Sequence, residues 1–175
     1  MAITYENLDP TTRNYMLNEV NLDLEQDRVY RSQHLKAGFE DAWDNALIEA
    51  VTTHDDTWLE HQVEAQQMLR DTYQRRTPSG GMTVAQVPVN AAQTLAEGEF
   101  NRYYCRGLCA RAIEEGRQVE VYRGKVVQNP RSASVAMIGR IYNPREILED
   151  LRANPLDTAL GLPPGPNSGL TIKLV

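Results

Sequence analysis

Apolar residues recur every three or four positions through the first half of this chain, and every second position near its end. Met16, Val20 and Leu24 follow Asp9-Pro10 at four-residue spacing, which predicts a first helix capped by Asp9 with Pro10 in its first turn. Leu35, Phe39, Trp43, Ala46, Leu47 and Ala50 form a broad apolar stripe and predict a second helix from about residue 32 to 51. "TTHDD" interrupts it and offers caps for a third helix, about 57 to 74, anchored by Trp58, Val63, Leu69 and Tyr73. Residues 1–76 therefore read as a helical lobe.

"RRTPSGGMTVAQVPVN" breaks the period. Pro78, Gly80 and Gly81 favour a turn, and the β-branched run from Val84 to Val89 is extended at best, so residues 77–94 read as a flexible arm or linker. Asn90 then opens a long helix that Gly116 closes. Phe100, Arg102, Tyr103, Tyr104, Cys105, Leu108 and Cys109 cover most of its circumference, which marks it as the structural spine. Gly107 allows another backbone to approach it closely. Arginines on such a helix are expected to be held by carboxylates or carbonyls of neighbouring segments.

Past Gly116 the period falls to two. "QVEVYRGKVV" places Val119 and Val121 on one face of a half-buried strand, and "ASVAMIGRIY" is a second, weaker strand candidate. Asn143-Pro144-Arg145-Glu146 is a compact helix start, with Ile147, Leu148 and Leu151 as the buried side. Residues 95–160 thus combine the central helix with a strand–helix portion. Residues 161–175 form an extended tail: a Pro/Gly-rich coil, then Leu170, Ile172 and Leu174 alternating as a terminal strand. That strand can pair within its own chain or clamp a neighbour. The fold class expected is α+β.

Composition sharpens this picture only in places. The 175 residues suffice for one domain or two lobes sharing a core, and 41% hydrophobic with 24% charged residues is ordinary for a folded protein. No apolar run approaches the ~20 residues that cross a bilayer, so no membrane is expected as partner. "MAITYENLDP" lacks the basic and apolar regions of a signal peptide, which implies synthesis in the cytoplasm. The net charge of −6 is uneven: residues 1–76 hold 15 acids against 7 Lys and Arg, residues 77–175 hold 9 against 11. An acidic half and a basic patch suit docking between copies of one chain. The basic stretch also allows incidental proximity to nucleic acid. Interface candidates are Arg123, Lys125, Arg131, Arg140 and the tail residues Leu170, Ile172 and Leu174.

Candidate chemistry is sparse. Cys105 and Cys109 lie one helical turn apart, half a zinc site at best, and read as buried reduced thiols. His54, Asp55, Asp56 and His61 fit capping and solvation better than metal binding, and His34 has no identifiable partner. No Walker loop or G-x-S-x-G elbow is present. No metal, cofactor or catalytic residue is therefore expected. "VYRG" followed by "SAS" resembles the Arg and Ser-x-Ser elements of ADP-ribosyltransferases, which would give Arg123 and Ser132 or Ser134 roles in dinucleotide binding. Only eight residues separate Arg123 from Ser132, and the Glu-x-Glu or Gln-x-Glu element of that family is missing.

A second resemblance covers most of the chain after Leu8. "LAEGEFNRYYCRGLCARAIEEG", "VEVYRGKVVQNPRSAS", "ILEDLR" and "ALGLPPGPNSGL" together resemble a family of small proteins encoded in tailed-phage and prophage genomes. The resemblance implies a non-enzymatic virion component, a head–tail connector or adaptor or a capsid accessory protein, working in many copies. Its partners would be copies of itself and portal, capsid or tail proteins. An enzyme of another type and a small regulatory binding module are the alternatives.

Overall fold

The computed structural model describes residues 2–155, 158, 160–161 and 168–175. The fold is α+β, built around one long helix. The first helix, α1 (Pro10–Glu25), starts as the sequence predicts: the Asp9 carboxylate accepts from Thr12 N at 2.9 Å. The second, α2 (Glu40–Thr53), begins eight residues later than expected. Gly38 at φ 88° reverses the chain just before it, although Leu35 and Phe39 fit the helical spacing. The third, α3 (Asp56–Ala65), is capped by Asp55 accepting from Trp58 N. It stops at Ala65, nine residues short of the expected end, and two residues later Gln67 takes a left-handed φ of 51°.

Chain that was expected to be helix and flexible arm instead forms an antiparallel ribbon. Its strands are β1 (Thr72–Arg76) and β2 (Met82–Gln86), paired from Thr72–Gln86 to Arg76–Met82. The spine, α4 (Ala91–Glu115), ends at Gly116 in the left-handed region at φ 66°. Phe100, Tyr103, Tyr104, Cys105, Leu108 and Cys109 are fully buried along it. Gly107 is where α1 crosses: a Cβ there would come within 2.6 Å of Met16 N.

Strand β3 (Val119–Arg123) follows, then the four-residue helix α5 (Ser132–Val135), the two-residue strand β4 (Ile141–Tyr142) and α6 (Pro144–Ala153). "ASVAMIGRIY" is thus mostly helix and turn, and only its last two residues pair. Asn143 caps α6 by accepting from Arg145 N at 3.0 Å, and Ile147, Leu148 and Leu151 are its buried side. The final strand, β5 (Leu170–Leu174), lies antiparallel to β3 from Val119–Leu174 to Arg123–Leu170, giving a sheet in the order β4-β3-β5. Most of the Pro/Gly coil before it, residues 162–167, lies outside the described residues.

The sheet and helices α1, α3 and α6 all pack on α4. The N-terminal segment closes the seam between helix and sheet: Tyr5 tilts against Phe100 and Tyr104, Asn7 Oδ1 accepts from Leu174 N at 2.9 Å, and Thr4 N donates to Gly124 O at 2.9 Å. The segment from Ile3 to Asn7 and the final strand β5 therefore join one core with the spine. The helices of residues 1–76 and the strand–helix portion both pack on this one spine. Among the described residues no helix is long and apolar enough to cross a membrane.

Candidate functional site

The richest cluster of titratable side chains lies where α1, α4 and α6 meet. Arg106 is completely buried. Its Nε donates to Glu19 Oε2 at 2.9 Å and its Nη2 to Asp23 Oδ1 at 3.1 Å, while Tyr103 Oη donates to Asp23 Oδ2 at 2.9 Å. Glu19 also receives Arg152 from α6, with Nε at 3.0 Å. Burial opposes ionisation of Asp23, but the hydrogen bond and charge of Arg106 hold its carboxyl below the ordinary value. Burial likewise opposes the charge on Arg106, and Asp23 and Glu19 more than restore it. Every carboxylate in this triad is matched, so the cluster ties three helices together. A reaction centre needs a carboxylate left unmatched, and Glu19 and Asp23 both have arginine partners.

Cys105 and Cys109 are buried free thiols, as the i, i+4 spacing predicts. Burial pushes the Cys105 thiol up to about 12 and raises Cys109 as well, so both are poor nucleophiles. Around α3, His54 stacks on Trp58, and Asp55 serves as the cap already described. Asp56 is buried, accepts from Ile3 N at 3.3 Å, and is pushed up to about 6 by burial. Among the described residues no three His, Cys, Asp or Glu side chains gather as a metal would need.

The expected basic interface is largely dismantled. Leu170, Ile172 and Leu174 are buried against the chain's own β3 and α4, because alternation on a strand beside a hydrophobic helix drives them inward. They are core, not clamp. Lys125 is used internally, paired with Glu97 of α4. Arg123 shares the inward face of β3 with Val119 and Val121, and both of its terminal nitrogens are buried without a hydrogen-bond partner among the described residues. It cannot meet an acidic surface from there. Ser134 is buried and Ser132 exposed on α5 rather than on a sheet strand, which removes the ADP-ribosyltransferase arrangement. Arg131 and Arg140 remain exposed, beside Val135, Ile138 and Ile141, which are about half exposed.

The β1–β2 ribbon, by contrast, is exposed over almost its whole length. A tight turn closes it: Thr77 N donates to Gly81 O at 2.8 Å, Gly80 N to Thr77 O at 3.0 Å, and Gly80 takes φ 87°. Its base is fixed to the body. Arg70 N and Nη2 donate to the carbonyls of His34 and Leu35 at 2.9 Å each, and His34 meets the Tyr73 ring edge-on. Strand alternation then puts Met82 and Val84 on one face, opposite Arg76 and Gln74, and both apolar side chains are over 60% exposed. Among the described residues the two strands pair only with each other. Sequence reasoning placed an arm here but missed its strands and this face. The Met-x-Val spacing after a polar partner strand and a Pro-Ser-Gly-Gly turn was the available signal.

No protein-family model, curated protein or solved structure matches the chain.

Proposed function

We propose that this protein is a non-enzymatic structural subunit of a tailed-phage virion, a head–tail connector or adaptor or a capsid accessory protein, assembled in many copies. The observation that carries the reading is the projecting ribbon. A two-stranded hairpin is marginal in water by itself, and its outer edges present unpaired N–H and C=O groups. Here it is long, basic and fixed at its base, with Met82 and Val84 on one face. Residues 70–90 contain three arginines and one acid, Asp71. Such an arm is suited to a partner surface that covers Met82 and Val84 and answers the charge of Arg76 beside them on the same face.

The body supplies a surface of the opposite kind. Glu40, Asp41, Glu49, Asp55 and Glu64 are exposed on α2 and α3 and around them. An arm of one copy laid on the acidic helices of the next is a heterologous contact, the type that closes into rings. Val135, Ile138 and Ile141, flanked by Arg131 and Arg140, offer a separate face for portal, capsid or tail components. The resemblance to small phage-encoded proteins supports the same reading, and the matched carboxylates at the centre weigh against catalysis there. Quantitative mass spectrometry of purified particles tests it. The expected result is this chain at a fixed multiple of the other head and tail proteins; recovery only from the particle-free fraction would contradict it.

A further inference from the structure

The two long edges of the β1–β2 ribbon are not equivalent. Thr77 N donates to Gly81 O at the tip and Val87 N to Asp71 O at the base, at 2.8 and 2.9 Å. The odd-numbered pairs between them, Tyr73–Ala85 and Arg75–Thr83, are therefore the ones that exchange hydrogen bonds inside the ribbon. The even-numbered residues turn their N–H and C=O groups outward: Thr72, Gln74 and Arg76 along β1, and Met82, Val84 and Gln86 along β2.

The β1 edge is guarded. Where it reaches the body, its continuation pairs with the chain before α2: Leu35 bridges to Leu69, and Arg70 N donates to His34 O at 2.9 Å. Farther out β1 carries Arg75 and Arg76, charges of the kind that keep a free edge from pairing. The β2 edge has neither protection. "MTVAQ" holds no charged residue, proline or glycine, and Met82, Thr83, Val84 and Gln86 are exposed. Among the described residues nothing accepts from or donates to the outward backbone groups of Met82, Val84 and Gln86. Pro88, at the next outward position, has no N–H and ends the open edge.

An open antiparallel edge is completed by another strand, and this one is complementary to itself. When a second β2 lies antiparallel with the two copies of Val84 facing each other, Met82 of each copy faces Gln86 of the other. Every outward residue then meets an outward residue, giving roughly six hydrogen bonds between the chains. Sliding one strand by two residues loses one of these pairs, which favours the centred register. The two ribbons become a single four-stranded sheet, whereas one hairpin alone is marginal in water. Met82 and Val84 of both copies join in one apolar stripe, and Arg75 and Arg76 stay on the outer strands, away from their counterparts.

We propose that β2 is a docking edge for a second copy of this chain, paired antiparallel with its own counterpart about a two-fold axis at Val84. The pairing rests on the reading of the ribbon as an assembly arm. It uses the edge of the ribbon and leaves the apolar face to the acidic helices of further copies.

Sedimentation velocity in high salt, where contact between the basic arm and acidic helices is screened, tests the pairing. The intact chain is expected to remain a dimer there. Val84→Pro removes an amide that the ribbon itself does not use, and is expected to weaken the dimer by at least about tenfold, the scale of two lost hydrogen bonds. Val84→Thr keeps the amide and is expected to dimerise like the parent. Cross-linking decides the register even if Val84→Pro disturbs the ribbon, and the native Cys105 and Cys109 are buried. With oxidised glutathione, Val84→Cys is expected to give a disulfide-linked dimer, since facing Cα atoms lie about 5.5 Å apart. Met82→Cys alone is not, with roughly 14 Å between its copies, but a mixture of Met82→Cys and Gln86→Cys is. A monomer in high salt, a Val84→Pro dimer as tight as the parent's, loss of the dimer in Val84→Thr, or equal cross-linking at positions 82 and 84 overturns the pairing. None of these outcomes alters recovery of the chain from particles, so the pairing and the virion reading fail separately.

Discussion

At the scale of single residues, Arg106 shows what sequence spacing can and cannot supply. Its burial, and its need for carboxylates from other segments, follow from a helix with apolar side chains all round. The identities of the partners do not, because Glu19 and Asp23 lie 87 and 83 residues away. Removing a fully matched buried arginine strands the charges it answered, so Arg106→Met is expected to cost about 3–5 kcal/mol. Urea denaturation measures this, and a loss below 1 kcal/mol would mean that Glu19 and Asp23 find other partners. Glu99 makes the opposite prediction. Its folded-state pKa is raised, so the native state holds this proton more tightly than the unfolded chain. The stabilising contribution is complete below the ordinary carboxyl pKa and disappears as pH rises through about 7. Glu99→Gln should therefore flatten the fall in stability between pH 5 and 8 and leave the variant more stable at pH 8, by up to roughly 2–3 kcal/mol. Parallel stability–pH curves for the two proteins would contradict this.

At the scale of elements, the starts and stops with explicit chemistry were legible: Asp9-Pro10, Asn143-Pro144 and Gly116 all act as their residue types suggest. The errors arose where backbone conformation broke a pattern that side chains continued. Leu35 and Phe39 extend the stripe of α2, but the reversal at Gly38 precedes the helix. Leu69 and Tyr73 extend that of α3, but Gln67 turns the chain and Leu69 instead bridges to Leu35. Strand β1, "TYQRR", carries no apolar alternation, so the ribbon was hidden in its more polar half. The terminal alternation was plain, and only its partner was open. Because β5 fills the space between β3 and α4, deleting residues 168–175 is expected to abolish cooperative thermal unfolding. A truncated chain that melts like the intact one would return the tail to the role of an intermolecular clamp.

For the whole molecule, the basic residues that the charge asymmetry singled out divide: Arg131 and Arg140 stay exposed, whereas two others do not. Arg123 and Lys125 turn inward, and the basic surface that remains divides between the ribbon and the Arg131–Arg140 region. The alternation that puts Val119 and Val121 on the inward face carries Arg123 with them, so its course was legible, whereas the pairing of Lys125 with Glu97, 28 residues away on α4, was not. The resulting body has an acidic helical side and a basic projecting arm, and the arm contributes little to the core. Replacing residues 72–86 by a short Gly-Ser linker should therefore leave the body folded. The most direct measurement is sedimentation velocity of the intact chain and this armless variant at low and high salt. The account predicts a discrete oligomer for the intact chain, weakened by salt, and a folded monomer for the armless one. An intact chain that stays monomeric at all concentrations, or an armless chain that assembles equally well, would contradict it.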